Sequence, residues 1–271
     1  MAHPGTTSPL RPNEDPMTFF LKNLLTVSAI ALTASFATIQ PAAALDDQQK
    51  KEIGEFIKEY LVEHPEVLLD AQAALEKKQD EARIAQSAQV ITQNKDAIFN
   101  SKDDVTIGNP KGSVTVVEFF DYNCTYCRHA LGDMDKLLKQ DKDVRFVLKE
   151  FPILGQDSVA ASRVSNAFRQ LAPEKYAEFH HKLLGSDGRA SEDSAIEVAT
   201  SLGVTEAAIR AEMAKSPNTD MIKATYQLAS DLNVSGTPAY VIGNEMISGA
   251  IGLDAIKEKI ANVRSCGKTS C

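Results

Sequence analysis

The chain contains no tryptophan, carries no excess of positive charge, and has only four cysteines in 271 residues. Absence of tryptophan argues against an aromatic-lined sugar or cation cage. A formal net charge of −8 excludes an electrostatic nucleic-acid binder, which needs a basic face. Four cysteines are too few for a disulfide scaffold at this length, so the pair Cys124 and Cys127 reads as functional rather than structural. With 43% hydrophobic residues, the chain can bury one good core and a second small one.

Residues 17–44 read as a secretory signal. Lys22 is its only charge, an apolar stretch follows over 24–39, and Gln40-Pro41 leads to the small-residue exit Ala42-Ala43-Ala44. An uncleaved membrane anchor is the competing reading, and the Thr and Ser content and the Ala-x-Ala exit favour cleavage. Residues 1–16, with four prolines ahead of a second Met, read as an upstream extension. The mature chain is expected to begin near Leu45. An exported protein meets an oxidising compartment, where cysteines persist as disulfides or work as redox groups.

Residues 45–98 form an N-terminal helical segment in this reading. Ile53, Phe56, Ile57, Tyr60 and Leu61 make a short amphipathic stretch, which His64-Pro65-Glu66 interrupts. Leu61, Leu68, Leu75 and Ala82 then recur every seven residues. A strip this narrow cannot bury itself alone, so it packs on the main domain or meets copies of itself. A solvated linker helix is the plainer alternative.

The main domain is expected over 99–265. Residues 104–111 suggest an edge strand and turn, broken at Gly108-Asn109-Pro110. The β-branched and aromatic run Val114–Phe120 is a strand, a helix follows from Cys124 to about Gln140, and a second strand covers 144–149. A crossover of that length demands parallel strands. Short helices fill about 156–215, with Ser191 and Thr205 as N-cap candidates, and another helix covers 219–232. Two short strands flank Gly243-Asn244 as a hairpin, and a last helix covers 253–263. The order fits a four-stranded mixed α/β sheet with an inserted helical subdomain and an N-terminal helical extension.

The segment Val-Glu-Phe-Phe-Asp-Tyr-Asn-Cys-Thr-Tyr-Cys places two thiols on the first turn of a helix. Cys127, Ala130, Leu131, Met134, Leu137 and Leu138 fall on one buried face. Unpaired N–H groups and the positive end of the helix dipole favour a thiolate at Cys124, and a lowered thiol pKa is what disulfide exchange requires. Cys124 is the expected nucleophile, and Cys127, one turn deeper, the resolving thiol. Glu118 shares a strand face with Val116 and Phe120 and is expected to point inward, where a carboxyl must be paired or protonated. Lys149, ending the neighbouring strand, is its candidate partner. Thr125 and Tyr126 add no charge. His129 reads as a surface residue, and His180-His181 as packing rather than metal ligation.

These motifs, with the later Ser-Gly-Thr-Pro-Ala-Tyr and the helical block between them, resemble the DsbA-like branch of the thioredoxin superfamily. The resemblance covers about 105–263 and implies a thioredoxin-like fold. It also implies that Pro238 is a cis-proline facing the dithiol, with Thr237 turning backbone groups toward the sulfurs, and that Glu118 relays a proton to the resolving cysteine. The His-Pro-Glu-Val-Leu break resembles the N-terminal oligomerisation region of ScsC-like proteins, a family associated with copper tolerance. Together these imply a periplasmic, homo-oligomeric (trimer favoured) disulfide isomerase or reductase with no cofactor beyond the Cys124–Cys127 disulfide and no metal. Its partners would be unfolded or misoxidised exported proteins and a membrane redox partner of the ScsB/DsbD or DsbB type.

Two alternatives stay open: a monomeric oxidase of the DsbA type, and a periplasmic copper(I)-binding protein whose soft thiolates ligate rather than exchange. Cys266 and Cys271, in the polar tail 266–271, are a candidate second disulfide. A four-thiolate zinc site shared with Cys124 and Cys127 is the remote alternative.

Overall fold

Five strands form one mixed sheet in the computed structural model, which describes residues 45–271. The upstream extension (1–16) and the secretory signal (17–44) lie outside the described residues. The strands are β1 (Val105–Gly108), β2 (Val114–Phe120), β3 (Val144–Glu150), β4 (Ala239–Ile242) and β5 (Glu245–Ser248), in spatial order β1-β3-β2-β4-β5. The β2–β3 pair is parallel and every other pair antiparallel. The count is five rather than the expected four because the short edge segment β1 completes a ladder with β3, pairing Val105 with Leu148.

β2 and β3 are buried along almost their whole length rather than at alternate residues because helices cover both faces of the sheet. On one face Val116, Phe120, Phe146 and Tyr240 pack with Cys127, Leu131, Met134 and Leu137 of α4 (Thr125–Gln140). On the other, Val117, Phe119 and Val147 pack with Ile91, Ile98, Leu228 and Leu232. Burial of this kind contributes roughly 1.5–3 kcal/mol per large apolar side chain.

The described chain divides into two compact units, one ending at His64 and the other running from Pro65 to Cys271. In the first, α1 (Asp47–Glu63) starts at a capping box in which Asp46 accepts from the Gln49 amide at 2.8 Å. In the second, α2 (Glu66–Gln93) buries only Ser87 and Ile91, close to its C-terminal end. There Arg83 Nη1 donates to Met246 O at 3.1 Å on the edge strand β5, and Leu68 and Leu75 upstream are exposed. The short α3 (Lys95–Phe99) follows, seating Ile98 in the core.

Residues 156–215 form α5 (Gln156–Leu171), a 3-10 turn (Pro173–Lys175), α6 (Tyr176–Leu184), α7 (Glu192–Ser201) and α8 (Glu206–Lys215). Ser191 and Thr205 cap α7 and α8 through their hydroxyls, as their positions predict. α9 (Thr219–Asp231) leads to β4, and α10 (Leu253–Cys266) closes the chain beside α4.

Candidate active site

The central strand β2 ends at Phe120, and the chain turns through Asp121, Tyr122 and Asn123 into α4. Cys124 is the N-cap residue of that helix, with extended dihedrals (φ −81°, ψ 115°). Its Sγ takes the place an oxygen usually holds at such a cap, accepting from the Cys127 main-chain N–H at 3.2 Å. Both thiols are free, Cys124 being 5% exposed and Cys127 fully buried.

The two sulfurs differ sharply in acidity. Cys124 is lowered from 9.0 to about 6, first by a hydrogen bond from the Cys127 thiol, against the opposing cost of burial. Thr237 and the main-chain N–H groups of Cys127 and Tyr126 add to the lowering. Cys127 is pushed far above the usual thiol range by burial, by the hydrogen bond it gives to Cys124 and by the Glu118 charge. One sulfur is a thiolate at neutral pH and the other holds its proton, the division that nucleophile and resolving thiol require.

Thr237-Pro238 is a cis peptide bond. Thr237 O lies 3.1 Å from Cys124 Sγ and accepts its thiol proton when one is present. Pro238 O accepts from the Gly249 amide at 2.9 Å, tying this loop to the end of β5. Thr125 and Tyr126 are exposed on the outer side of the dithiol, Tyr126 by 66%.

Glu118 is 4% exposed and lies in register with Tyr240 on β4 and Leu148 on β3. Burial, and then the negative charge of Cys124, raise its pKa from 4.5 to about 8. Lys149 is not its partner. Lys149 is in register with Phe119, the residue after Glu118, and successive residues of a strand point to opposite faces. Lys149 Nζ instead donates to the Asp104 carboxylate and, at 2.6 Å, to Ala97 O. Burial raises Asp104 from 3.8 to about 6, with Lys149 opposing. Among the described residues Glu118 has no ion-pair partner.

Sequence reasoning missed Asp121. Its Oδ1 accepts from the Asn123 amide at 2.7 Å and its Oδ2 from the Leu154 amide at 2.9 Å, pinning the active-site turn to the loop after β3. An Asx turn in Asp-Tyr-Asn was the available signal. Beneath the turn, Tyr122 Oη lies 2.9 Å from Ser165 Oγ, and Ser165 and Tyr176 both donate to Glu150 Oε1. His180 is buried with its ring against Phe120, and burial lowers its pKa to about 3. His181 pairs with Asp135 at 2.9 Å, and His129 is exposed.

Cys266 and Cys271 are bonded to each other. Thr269 between them is buried, its amide donating to Asn244 Oδ1 at 3.2 Å in the β4–β5 turn. That turn and Pro238 lie at opposite ends of β4, so the tail pair does not join Cys124 and Cys127. Among the described residues no three metal-ligating side chains gather.

Comparison with known proteins matches two parts of the chain. A sequence profile of the DSBA-like thioredoxin domain matches residues 115–261, and one of the copper resistance protein ScsC N-terminal domain matches residues 49–82. The chain is similar to a thioredoxin-like oxidoreductase from Silicibacter pomeroyi, at 36% identity over 64% of this chain and 99% of that one, with a TM-score of 0.61. The thiol-disulfide exchange protein alpha-DsbA2 from Wolbachia pipientis is 31% identical over 67% and 98%, with a TM-score of 0.62. Proteus mirabilis ScsC in a transitional conformation is 27% identical over 80% and 95%, with a TM-score of 0.53.

Proposed function

This chain belongs to the DSBA-like thioredoxin family of thiol-disulfide oxidoreductases, and from that premise we propose that it reduces or isomerises disulfides in exported proteins. The observation that carries the proposal is the unequal dithiol, a Cys124 sulfur that accepts from the Cys127 amide and is lowered in pKa above a buried Cys127 that is raised.

Cys124 Sγ attacks one sulfur of a substrate disulfide, forming a mixed disulfide and releasing the other sulfur as a thiolate. The released substrate thiolate can attack another client disulfide, freeing a different client thiolate. When a client thiolate attacks the client sulfur of the mixed disulfide, Cys124 leaves as a thiolate and the isomerisation is complete. Alternatively Cys127 loses its proton and attacks Cys124, releasing reduced client and leaving the Cys124–Cys127 disulfide. Glu118 is suited to take that proton. Burial is the larger cause of its raised pKa and the Cys124 charge the smaller. That charge vanishes on forming the mixed disulfide, so Glu118 becomes more acidic at the stage where a base is needed. The main-chain groups of Thr237 can pair with an extended client segment as an added strand. The two sulfurs carry the electrons, so the reaction needs no further cofactor.

The N-terminal match and the exposed Leu68 and Leu75 support self-association through residues 45–98. A trimer would hold several dithiols around one client and raise their effective concentration. The expected secretory signal and the cysteine usage support a periplasmic setting, and the match to the DSBA-like family supports reset by a membrane redox partner. The test is refolding of a scrambled-disulfide protein beside oxidation of a reduced one. Recovery of native pairing in the first supports the reading, and activity confined to the second overturns it in favour of an oxidase.

A further inference from the structure

Asn123 and Arg128 bracket the dithiol in Asn-Cys-Thr-Tyr-Cys-Arg, and both reach across to the helical insertion. Asn123 reaches the loop 185–190 between α6 and α7, and Arg128 the last residue of α6 and that loop. The Asn123 carboxamide meets Ala190 as one peptide group meets another. Its Nδ2 donates to Ala190 O at 2.9 Å, and its Oδ1 accepts from the Ala190 N–H at 2.8 Å. Nδ2 also donates to Ser158 Oγ on α5 at 2.9 Å. Both donors are used, and Ala190 and Ser158 are each 1% exposed. From the other side of the motif, Arg128 Nε donates to Leu184 O at 3.0 Å, and Nη2 reaches Gly188 O at 3.5 Å.

We propose that Asn123 is a positioning residue for Cys124, making the α6–α7 loop part of the frame that holds Cys124 Sγ on the Cys127 amide. This rests on the exchange reading above. Only one planar peptide link separates the clamped residue from the nucleophile, and Cys124 is itself held as the N-cap of α4, so few torsions are left to carry a displacement of Asn123 away from the sulfur. The Sγ···N distance of 3.2 Å leaves little room, because a hydrogen bond weakens steeply as its geometry opens. The three bonds fix the carboxamide in position and in rotation, so the main chain of Asn123 is held as well. Two of them reach the main chain of a segment 67 residues away. The helical insertion thereby becomes part of what sets the nucleophile's acidity, and a client that moves the 185–190 loop would alter the thiolate it meets.

The test is the pH dependence of iodoacetamide labelling at Cys124 in the reduced full-length chain, for the wild type, Asn123→Ala and the milder Asn123→Ser, with thermal melts alongside. The expected result is a wild-type midpoint near pH 6 and an upward move of about one pH unit or more in both variants, a tenfold loss of thiolate below the midpoint. A folded variant with a lowered Tm and an unmoved midpoint shows a merely structural asparagine and overturns the proposal. A wild type that labels like an ordinary thiol overturns instead the exchange reading beneath it.

Discussion

Glu118 and Lys149 leave neighbouring strands on opposite faces of the sheet, with Lys149 in register with Phe119 and paired to Asp104. The buried cation fastens α3 and the residue before β1 to the sheet, on the face away from Glu118. Lys149→Met strands a buried Asp104 carboxylate and should cost about 3–5 kcal/mol, measured by denaturant unfolding. The labelling midpoint of Cys124 should stay where it is. The double variant Asp104→Asn/Lys149→Met should recover part of the loss, since no charge is then left unpaired.

Glu118 should leave a mark on stability against pH. Its folded pKa of about 8 lies above the ordinary 4.5, so the folded chain keeps a proton that the unfolded chain releases as pH rises through that window. The wild type therefore loses stability from about pH 5 to pH 8, whereas Glu118→Gln has no proton to lose. The variant's advantage should grow to about 3–5 kcal/mol at pH 8, read as the difference in unfolding free energy at the two ends. Parallel pH profiles for the two proteins would sink the buried-acid account. In turnover the same variant should slow release of the mixed disulfide while leaving Cys124 attack intact.

Leu68 and Leu75 lie one heptad apart on the exposed part of α2. Replacing both with Glu should lower the mass measured by light scattering toward that of one chain and lower isomerisation of a scrambled substrate. Labelling of Cys124 should be unaffected. An unchanged mass would remove residues 45–98 from the assembly.

The tail disulfide closes a short loop, with a sequence separation of five. Chain-entropy reasoning limits its stabilising effect to about 2 kcal/mol. Cys266→Ser/Cys271→Ser should lower Tm modestly and loosen Thr269 from Asn244. Exchange at Cys124 should persist, and its loss would make the tail a second redox couple.

What the sequence discloses here is what local periodicity and local chemistry encode. Val114–Phe120 running into Cys124 fixes a strand, a helix start and a thiol at its mouth within a dozen residues. The inward Glu118 follows from the period of two. Partners across the sheet do not follow, because they depend on the register of β2 against β3, and a shift of one residue reverses the face of every side chain. The pairing of Lys149 with Glu118 expected from the sequence fails for that reason, Lys149 lying in register with Phe119. The edge strand at β1 is suggested by the sequence, but its four half-buried residues do not disclose that they pair with β3 and bring the sheet to five strands. The place of Thr237-Pro238 opposite the dithiol comes from the resemblance, since nothing local to that dipeptide points to Cys124. The Asn123–Ala190 pairing joins residues 67 positions apart, and nothing in either neighbourhood announces the other.

The central claim is that Cys124 and Cys127 alternate between dithiol and disulfide by exchange through Cys124. Equilibrating the purified chain across a series of glutathione redox buffers, quenching with acid and weighing the alkylated products tests it directly. The account predicts that the pair closes and reopens reversibly across the series. A Cys127→Ser variant should accumulate a single glutathione adduct at Cys124, and Cys124→Ser none at Cys127. A pair that stays in one state at every poise, or an adduct on Cys127 alone, would contradict it.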